Sequence, residues 1–422
     1  MKEKLRKELI FIVISVLLLI LVVFISYKFM NKTNVNNSSS NNITKINEIK
    51  IDGEETLVTL TNSYEINKGG IYRLNGTIDD GLVTINADED IKIILDGVSI
   101  TNSSGPCILV LNAKNVVIEL NDNTTNTLTD SNNYSVSDDD IDGCIYSKDD
   151  LYIQGNGTLI VNANYKDGIV SKDDLFVVSG NIEINSADDA IRGKDSVVID
   201  DGKISITSNG DGIKSTNDTD DDKGNITING GNITIDTKSD GFDCTNTFTI
   251  NKGTINIKSE DDGIHADGYL EINSGTIDID AHEGLEATYI KINDGTINID
   301  ASDDGINAAN KSNKYQVTVE INGGNITIKM SSGDTDGIDS NGNIYINGGT
   351  INITGNSPFD YDGEAKYNGG TMIINGEETT TITNQFMGGN GQMMNNEQKG
   401  NEMPNDNNRP NDNNRPLREG RR

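Results

Sequence analysis

Between residues 43 and 383 the chain alternates short runs of β-branched residues with turns rich in Gly, Asn and Asp. Within a run, apolar and polar residues alternate, as in TINGGNITID at 227–236 and EINSGTIDID at 271–280. This alternation is typical of β-strands that bury one face, because successive side chains point to opposite sides of a strand. The pattern therefore predicts an all-β structure.

A longer period is set by an apolar marker residue that follows shortly after an acidic one. These markers are Ile145, Ile169, Ile191, Ile213, Phe242, Ile264, Leu285, Ile306 and Ile338. Most steps are 21 to 24 residues long, and two longer steps contain insertions at 218–222 and 310–315. A period of this size without a helical half favours a β-solenoid over a leucine-rich repeat. We predict a right-handed parallel β-helix over residues 43–383.

Turn residues recur at equivalent positions of the repeat. Gly231, Gly253, Gly275 and Gly295 are expected to take positive φ where the chain bends between strands. Asparagines recur just before the glycines, at Asn229, Asn251, Asn273, Asn293, Asn322 and Asn347. We expect them to form a structural ladder of side-chain amides along the stack.

The two ends of the chain differ from the repeats. Residues 1–8 are basic and 9–30 are almost entirely apolar, a length that spans a bilayer, so we predict a cytoplasmic N-terminus and an uncleaved transmembrane anchor. Residues 31–42 form a polar linker, and 384–422 a Gly/Met/Asn-rich tail that we expect to be disordered. Under the positive-inside rule, the β-helix and the C-terminus lie outside the cell.

The chain carries 66 acidic and 34 basic residues, for a net charge of -32. Such a charge repels phosphate, so nucleic acid is excluded as a partner, and metal cations are the natural counter-charges. The three cysteines, Cys107, Cys144 and Cys244, have neither disulfide nor zinc spacing, and we expect them to be buried and unpaired.

The acidic residues before the markers are expected to form a column along the stack. They are Asp167, Asp189, Asp211, Asp240, Asp262, Glu283, Asp304 and Asp336. Unit charges about 4.8 Å apart repel by roughly 3.5 kcal/mol at an effective dielectric near 20. Such a column requires cations or strong hydrogen-bond donors.

A second acidic column follows the markers, at Asp149, Asp173 and Asp195, and each of these residues follows a lysine. Lys148, Lys172 and Lys194 could neutralise it without metal, so a structural role and a functional role are both open there.

Oxygen-rich clusters select hard cations, and calcium accepts six to eight oxygen ligands of irregular geometry. We therefore predict Ca²⁺ as the cofactor. The predicted metal ligands are Asp167, Asp173, Asp188, Asp189, Asp195, Asp211, Asp240 and Asp262, with Asp189 and Asp211 as the best single candidates. A metal site shared by His265 and His282, which flank the column, is a further alternative.

Three segments resemble a family of clostridial surface proteins that contain a carbohydrate-binding domain with a polysaccharide-lyase-like β-helix. They are TLTNSYEINKGGIYRLNGTIDDGLVTI at 59–85, NYKDGIVSKDDL at 164–175 and SADDAIRGKDSVVIDDGKISITSNGDGIKS at 186–215. The similarity spans about residues 49–353. It implies a calcium-binding β-helix that recognises plant-type or acidic polysaccharides.

Three functions are compatible with this resemblance. In the first, the protein binds polysaccharide without cleaving it, through calcium and through Lys172, Arg192, Lys194 and Lys214. In the second, it is a calcium-dependent pectate-type lyase in which Lys194 or Lys214 abstracts a proton. In the third, it is a structural spacer or adhesin with a protein partner. Periodic recurrence of the site residues favours binding, because lyase sites are usually single irregular constellations.

Aromatic stacking is a weaker basis for sugar recognition in this sequence, because Trp is absent. Tyr146, Tyr152 and Tyr165 are candidate sugar contacts, although tyrosines in strands more often serve packing.

Overall fold

The computed structural model describes residue 46 and residues 49–136, 138–332 and 335–385. The predicted cytoplasmic segment, anchor and linker lie outside these residues, as does the predicted tail from residue 386 onwards. Within the described ranges, no helix is long and apolar enough to cross a bilayer.

The described chain consists of short strands. The first group is β1 (Glu55–Leu60), β2 (Tyr64–Ile66), β3 (Gly70–Ile78), β4 (Val83–Asn86), β5 (Ile91–Thr101), β6 (Ile108–Asn112), β7 (Val116–Leu120), β8 (Thr125–Thr129), β9 (Gly143–Ser147), β10 (Leu151–Gly155), β11 (Thr158–Ala163), β12 (Asp167–Ser171) and β13 (Asp174–Val177). The second group is β14 (Asn181–Ser186), β15 (Ile191–Gly193), β16 (Ser196–Ile199), β17 (Lys203–Ser208), β18 (Ile213–Ser215), β19 (Asn225–Ile228), β20 (Asn232–Thr237), β21 (Phe242–Cys244), β22 (Thr247–Ile250), β23 (Thr254–Ser259), β24 (Ile264–Ile272) and β25 (Thr276–Ala281). The third group is β26 (Leu285–Ile292), β27 (Thr296–Ala301), β28 (Ile306–Ala308), β29 (Thr318–Ile321), β30 (Asn325–Met330), β31 (Asp336–Ser340), β32 (Asn343–Ile346), β33 (Thr350–Thr354), β34 (Ser357–Tyr361), β35 (Ala365–Tyr367), β36 (Thr371–Ile374) and β37 (Glu377–Thr379).

These strands pair in three parallel stacks, so that each coil contributes one strand to each stack. Stack A contains β2, β4, β6, β9, β12, β15, β18, β21, the first halves of β24 and β26, β28, β31 and β34. Stack B contains β1, β3, β5, β7, β10, β13, β16, β19, β22, the second halves of β24 and β26, β29, β32 and β35. Stack C contains the ends of β3 and β5, then β8, β11, β14, β17, β20, β23, β25, β27, β30, β33 and β36.

All of these pairings are parallel, which confirms the predicted all-β solenoid; its handedness stays a prediction. One further strand, β37, lies at the C-terminal end of stack C and pairs antiparallel with β36. Asn375 and Gly376 between them both have positive φ, 52° and 85°.

The marker residues lie directly opposite one another in stack A, as predicted. Ile169 pairs with Ile145 on one side and Ile191 on the other, and the register continues to Phe359. The markers are fully buried, and together with the inward residues of stacks B and C they form one continuous apolar core. Burying each such side chain stabilises the fold by roughly 1.5–3 kcal/mol.

The turn residues also behave as expected. Gly231, Gly253, Gly275 and Gly295 have φ values between 93° and 131°, and a Cβ on Gly275 would lie 3.1 Å from the Gly253 carbonyl oxygen. The asparagines form the predicted ladder, in which each Nδ2 donates to the Oδ1 of the preceding coil over 2.8 to 3.1 Å.

The three cysteines are buried and unpaired, as predicted. Cys244 lies opposite Ser215 and Ala266 in stack A, so it fills a position that other coils give to a small residue. Burial raises the pKa of the Cys244 thiol, which keeps it protonated.

Candidate functional site

The acidic residues before the markers form a column on stack A, as the repeat predicts. The column is held by backbone amides, because the N–H of one acidic residue donates to the carboxylate of the preceding coil. Asp211 N lies 2.8 Å from Asp189 Oδ1, and Asp240 N lies 3.0 Å from Asp211 Oδ1. The same bond, also 3.0 Å long, joins Asp262 N to Asp240 Oδ1. These amides stabilise the charges only partly, because each carboxylate still faces its neighbours.

A second polar column lies beside the acid column, at the residue after each marker. In register it contains Arg192, Lys214, Asp243, His265, Glu286, Asn307 and Asp339. We call it the flanking column. Sequence reasoning identified Arg192, Lys214 and His265 as site candidates, although the marker alignment already contained the signal for the other members.

At the N-terminal end the flanking column neutralises the acids. Arg192 Nε donates to Asp167 Oδ2 over 2.6 Å, and its Nη2 lies 2.7 Å from Asp142. Lys214 bonds Asp211 and lies 2.9 Å from Asp243. Although burial opposes its charge, the Lys214 ammonium holds the pKa of Asp211 below its usual value. Conversely, Asp243, Asp189 and Asp211 raise the pKa of Lys214 despite its burial.

Further along the stack the acids outnumber the cations. Asp240 is 0% exposed, and burial together with the charges of Asp262 and Asp211 raises its pKa well above the usual value. Burial and Glu286 raise the pKa of Asp262 to about 6, against the opposing effect of His265. Burial, Glu286 and Asp262 raise the pKa of Glu283 to about 8. This part of the column is therefore short of positive charge.

The same imbalance affects the acids outside this segment. Burial raises the pKa of Asp167 to about 7 although Arg192 opposes the shift. Burial and, to a smaller extent, the charge of Asp167 raise the pKa of Asp189. Burial also raises the pKa of Asp304 and of Asp339 to about 7.

His265 lies within the flanking column, between Asp262 and Glu286. Its Nδ1 is 2.9 Å from Asp262 Oδ2 and 2.8 Å from Glu286 Oε2. These carboxylates raise the pKa of His265 well above its usual value despite burial, so they favour the protonated ring. Lys311 Nζ lies 2.7 Å from Glu286. Burial tends to raise the pKa of Glu286, but His265 and Lys311 lower it to about 2.

Three clusters in this segment could hold a metal ion, each with ligand atoms within 4.8 Å of one another. They are Asp211, Asp240 and Asp243; Asp240, Asp262 and His265; and Asp262, Glu283 and Glu286. Asp240 and Asp262 each belong to two clusters, so the clusters form one continuous line along the solenoid. The middle cluster differs from the all-aspartate ligand set predicted from the sequence, because it includes His265, whose ring nitrogen can bind an ion only when it carries no proton.

Two further clusters are found among the described residues, and one of them shares Glu283 with this line. One contains Asp150, Asp173 and Asp174, and the other contains His282, Glu283 and Asp303. Since His265 and His282 fall in different clusters, the structure does not bring them together as ligands of one ion.

Asn307 provides an independent indication that the line is built for a cation. It is 9% exposed, and its Nδ2 donates to Glu283 Oε2 over 2.9 Å. Its Oδ1 is buried and has no hydrogen-bond partner within the part of the chain that the structure describes. Leaving such an acceptor without a partner costs about 1–3 kcal/mol, which a bound cation would recover.

The second acidic column differs from the prediction, because its counter-ions come from elsewhere. Asp195 is paired with Lys223, which follows the first insertion, and accepts 2.6 Å from Asn217 Nδ2. Lys148 lies 3.1 Å from Asp138 rather than on the column. Lys194 is exposed and Lys172 is half-buried. The predicted neutralisation by adjacent lysines is therefore wrong for Asp195 and for Lys148.

Asp173 and Asp188, two of the predicted metal ligands, lie outside the line of three clusters. Burial and Asp195 raise the pKa of Asp173 to about 6. The carboxylates of Asp188 and Asp189 both lie against Gly210, where a Cβ would be 2.5 and 2.6 Å from them. The structure thus places Asp188 beside the acid column, whereas Asp173 and Asp195 lie on a separate edge.

The predicted tyrosine contacts divide into two kinds. Tyr146 is 1% exposed and packs with Leu109, Ile141 and Val170, so its prediction as a sugar contact is wrong. Tyr152 stacks on Phe176 with 4.4 Å between ring centroids, and Tyr165 stacks on Tyr134 at 4.3 Å. Both remain partly exposed.

Comparison with known proteins adds a relative and a solved structure. Over 147 residues the chain is 40% identical to a carbohydrate-binding domain-containing protein of Acetivibrio thermocellus; the match covers 34% of this chain and 50% of the relative. The chain thus spans about half the length of that curated relative. A gadolinium derivative of the polysaccharide lyase-like protein from C. thermocellum is 31% identical, with a TM-score of 0.44, and the match covers 54% of this chain and 94% of that one.

The family comparison covers most of the solenoid. The model of the carbohydrate-binding domain-containing protein family matches residues 61–262 and 259–387, which together exceed half of the chain. This range includes the acid column, the flanking column and both insertions. The chain therefore belongs to the family of carbohydrate-binding domain-containing proteins.

Proposed function

We propose that this protein binds polysaccharide at the surface of stack A through calcium ions and does not cleave it. The observation that carries this proposal is the line of three overlapping clusters that share Asp240 and Asp262. Membership of a carbohydrate-binding family supports a glycan as the ligand.

The donor set fits a hard cation. Two of the three clusters contain only carboxylates, and the amide oxygen of Asn307, which has no hydrogen-bond partner among the described residues, belongs to a side chain that bonds Glu283 of the third cluster. Calcium accepts six to eight oxygens in flexible geometry, whereas magnesium demands a near-ideal octahedron. Asp211, Asp240, Asp243, Asp262, Glu283 and Glu286 would hold the ions. A bound calcium would supply positive charge and open coordination positions for the carboxylate or hydroxyl oxygens of a glycan.

Binding without cleavage is supported by the state of the candidate bases. A lyase needs a neutral group that accepts the proton next to the uronate carboxylate. Lys214 is held as an ammonium by Asp211 and Asp243, and Asp167 and Asp142 raise the pKa of Arg192 despite burial. Lys194 is exposed; its backbone N–H donates to the Ser171 carbonyl oxygen of the preceding coil, and its own carbonyl oxygen accepts from the next coil. None of these three described residues is arranged as a base.

We further propose that residues 9–30 anchor the protein in the cell membrane with the solenoid outside. The apolar length and the basic N-terminal flank support this topology. At the cell surface the line of clusters would meet polysaccharide and millimolar calcium together.

The experiment removes the two shared carboxylates with Asp240→Asn/Asp262→Asn. Asn retains the Oδ1 acceptor that supports the next coil, so the column should still assemble. We expect calcium affinity, measured by calorimetry on the full chain in detergent, and retention on immobilised polygalacturonate to fall together by at least about tenfold. The matched control is Asp236→Asn/Asp280→Asn, which removes two exposed charges from stack C.

The outcomes separate the interpretations. If the double variant loses glycan binding but keeps calcium affinity, the two aspartates are sugar contacts rather than metal ligands. If it keeps both, the column is structural and the proposed site is wrong.

A further inference from the structure

The two insertions that interrupt the repeat meet each other on the surface. The insertion at 218–222 lies between β18 and β19, and that at 310–315 lies between β28 and β29. Both leave the solenoid at the corner between stacks A and B, and three coils lie between them. Lys314 Nζ is nevertheless 3.0 Å from Asp221 Oδ1. The insertions therefore arch over the intervening coils.

The first insertion is held in place by buried amides. Asn217 Oδ1 accepts from the backbone N–H groups of Thr219 and Asp220, both at 3.1 Å. Asn246 Nδ2 donates to the carbonyl oxygens of Asp221 and Lys223 at 2.9 and 3.0 Å. Since Asn217 and Asn246 are themselves buried, this loop has a defined conformation.

The second insertion is held by Thr288, which is fully buried. Thr288 Oγ1 accepts from the N–H groups of Lys311 and Ser312 at 3.0 and 2.8 Å. A binding surface whose loops are already ordered loses little conformational entropy when a ligand binds.

Between the insertions lies an open surface depression of about 430 Å³ with one aromatic wall. We call it the insertion pocket; Tyr315, Lys314, Asp222, Asn225 and Thr247 are among its lining residues. Tyr315 is half-buried and packs on Tyr269 with 5.5 Å between ring centroids. Tyr269 in turn lies 5.3 Å from Tyr289.

Gly268 allows this aromatic cluster to form. A Cβ at Gly268 would lie 3.1 Å from Tyr315 Cε2, so the absence of a side chain at Gly268 leaves room for the Tyr315 ring to pack against β24. The Tyr315 ring is therefore supported by the Tyr269 ring and by the backbone at Gly268, which fix its orientation.

We infer that the insertion pocket binds one ring of a neutral glycan chain. The apolar face of a pyranose packs on Tyr315, while the Asp222 carboxylate and the Lys314 ammonium supply an acceptor and a donor for its hydroxyls. Two features exclude an acidic sugar as the preferred ligand. Asp221 and Asp222 give the pocket negative charge, and Lys314 is already paired with Asp221.

This inference rests on the proposal that the protein binds polysaccharide, but it concerns a different surface. Because the pocket recognises an uncharged ring, it does not require calcium. The second insertion also contacts the line of clusters, since Lys311 Nζ lies 2.7 Å from Glu286.

The test measures binding of neutral hexasaccharides to the full chain in detergent with EDTA present. Maltohexaose, xylohexaose and mannohexaose are the probes, and titration calorimetry gives the affinity. We expect at least one to bind, Tyr315→Ala to weaken that binding roughly tenfold, and Tyr315→Phe to retain it because the ring face is kept. Tyr72→Ala, which removes a tyrosine near the N-terminal end of stack B, is the matched control and should bind like the parent chain.

A second variant, Asp222→Asn, guards against a folding defect in Tyr315→Ala, because Asp222 is exposed and its loss leaves the tyrosine cluster intact. It should weaken the same probe several-fold. The inference is overturned if no neutral hexasaccharide binds, or if binding survives both Tyr315→Ala and Asp222→Asn. Hexagalacturonate with calcium tests the clusters separately, so failure of one proposal does not imply failure of the other.

Discussion

Replacing Glu283 with Gln isolates the electrostatic cost of the acid column. Glu283 is 8% exposed and accepts 2.9 Å from Asn307 Nδ2, a bond that the Gln carbonyl oxygen can also accept. Burial, Glu286 and Asp262 raise its pKa from 4.5 to about 8. The substitution keeps the shape of the side chain and removes only the ability to ionise.

The sign of the effect follows from proton binding. Between pH 4.5 and about 8 the folded state keeps a proton on Glu283 that the unfolded chain releases. The free energy of unfolding of the metal-free protein therefore falls by about 1.4 kcal/mol per pH unit across this window. Near pH 8 the loss reaches at most about 5 kcal/mol, or about 7 °C in melting temperature for a domain of this length. A glutamine side chain does not titrate, so the Glu283→Gln variant escapes this loss.

The assay is a series of thermal melts of the full chain in detergent from pH 4 to pH 8, in EDTA. The wild type and Glu283→Gln should melt together near pH 4, and the variant should melt several degrees higher near pH 8. With saturating calcium the order should reverse, because the variant lacks a ligand carboxylate. Glu183→Gln, on an exposed position of β14, should show neither effect. Parallel pH profiles of wild type and variant in EDTA would refute the argument that Glu283 is a strained buried acid.

Two other predictions concern the scaffold and the chemistry. Asn273→Ala should lower the stability by about 2 kcal/mol, because it leaves Asn251 Oδ1 and Asn293 Nδ2 without their ladder partner; a denaturation midpoint unchanged from wild type would show that the ladder is incidental. The wild type incubated with polygalacturonate and calcium should produce no ultraviolet absorbance from unsaturated products. Sustained product formation that disappears in Lys214→Ala would show that the protein is a lyase and would refute the proposal of binding without cleavage.

The repeat made much of the fold predictable. Once Ile169 is aligned with Ile191, parallel pairing places every other position of the two coils in register, so the acid column and the amide ladder follow from one alignment. The burial of Cys244 followed in the same way, from the small residues at equivalent positions.

The functional site was only partly predictable. Glu286 was not predicted because it follows a marker residue, whereas the predicted acid column contains only residues that precede the markers. Lys223 and Lys311 were missed for a different reason, since Lys311 lies in an insertion and Lys223 directly follows one, and the path of neither insertion is repeated in other coils. Tyr146 was misassigned because its neighbours, such as Ile141, come from an irregular segment between β8 and β9 that covers it.

The antiparallel hairpin of β36 and β37 bears on how the protein avoids polymerisation. A stack of parallel strands ends in unpaired amide and carbonyl groups, which could template the first coil of another copy. The Asn375–Gly376 turn reverses the chain and lays β37 over that edge of stack C. Glu377 and Glu378 are exposed on the covering strand, so a further strand would have to desolvate two carboxylates to pair there. The hairpin thus covers the open edge of stack C at its C-terminal end and disfavours the addition of another strand there.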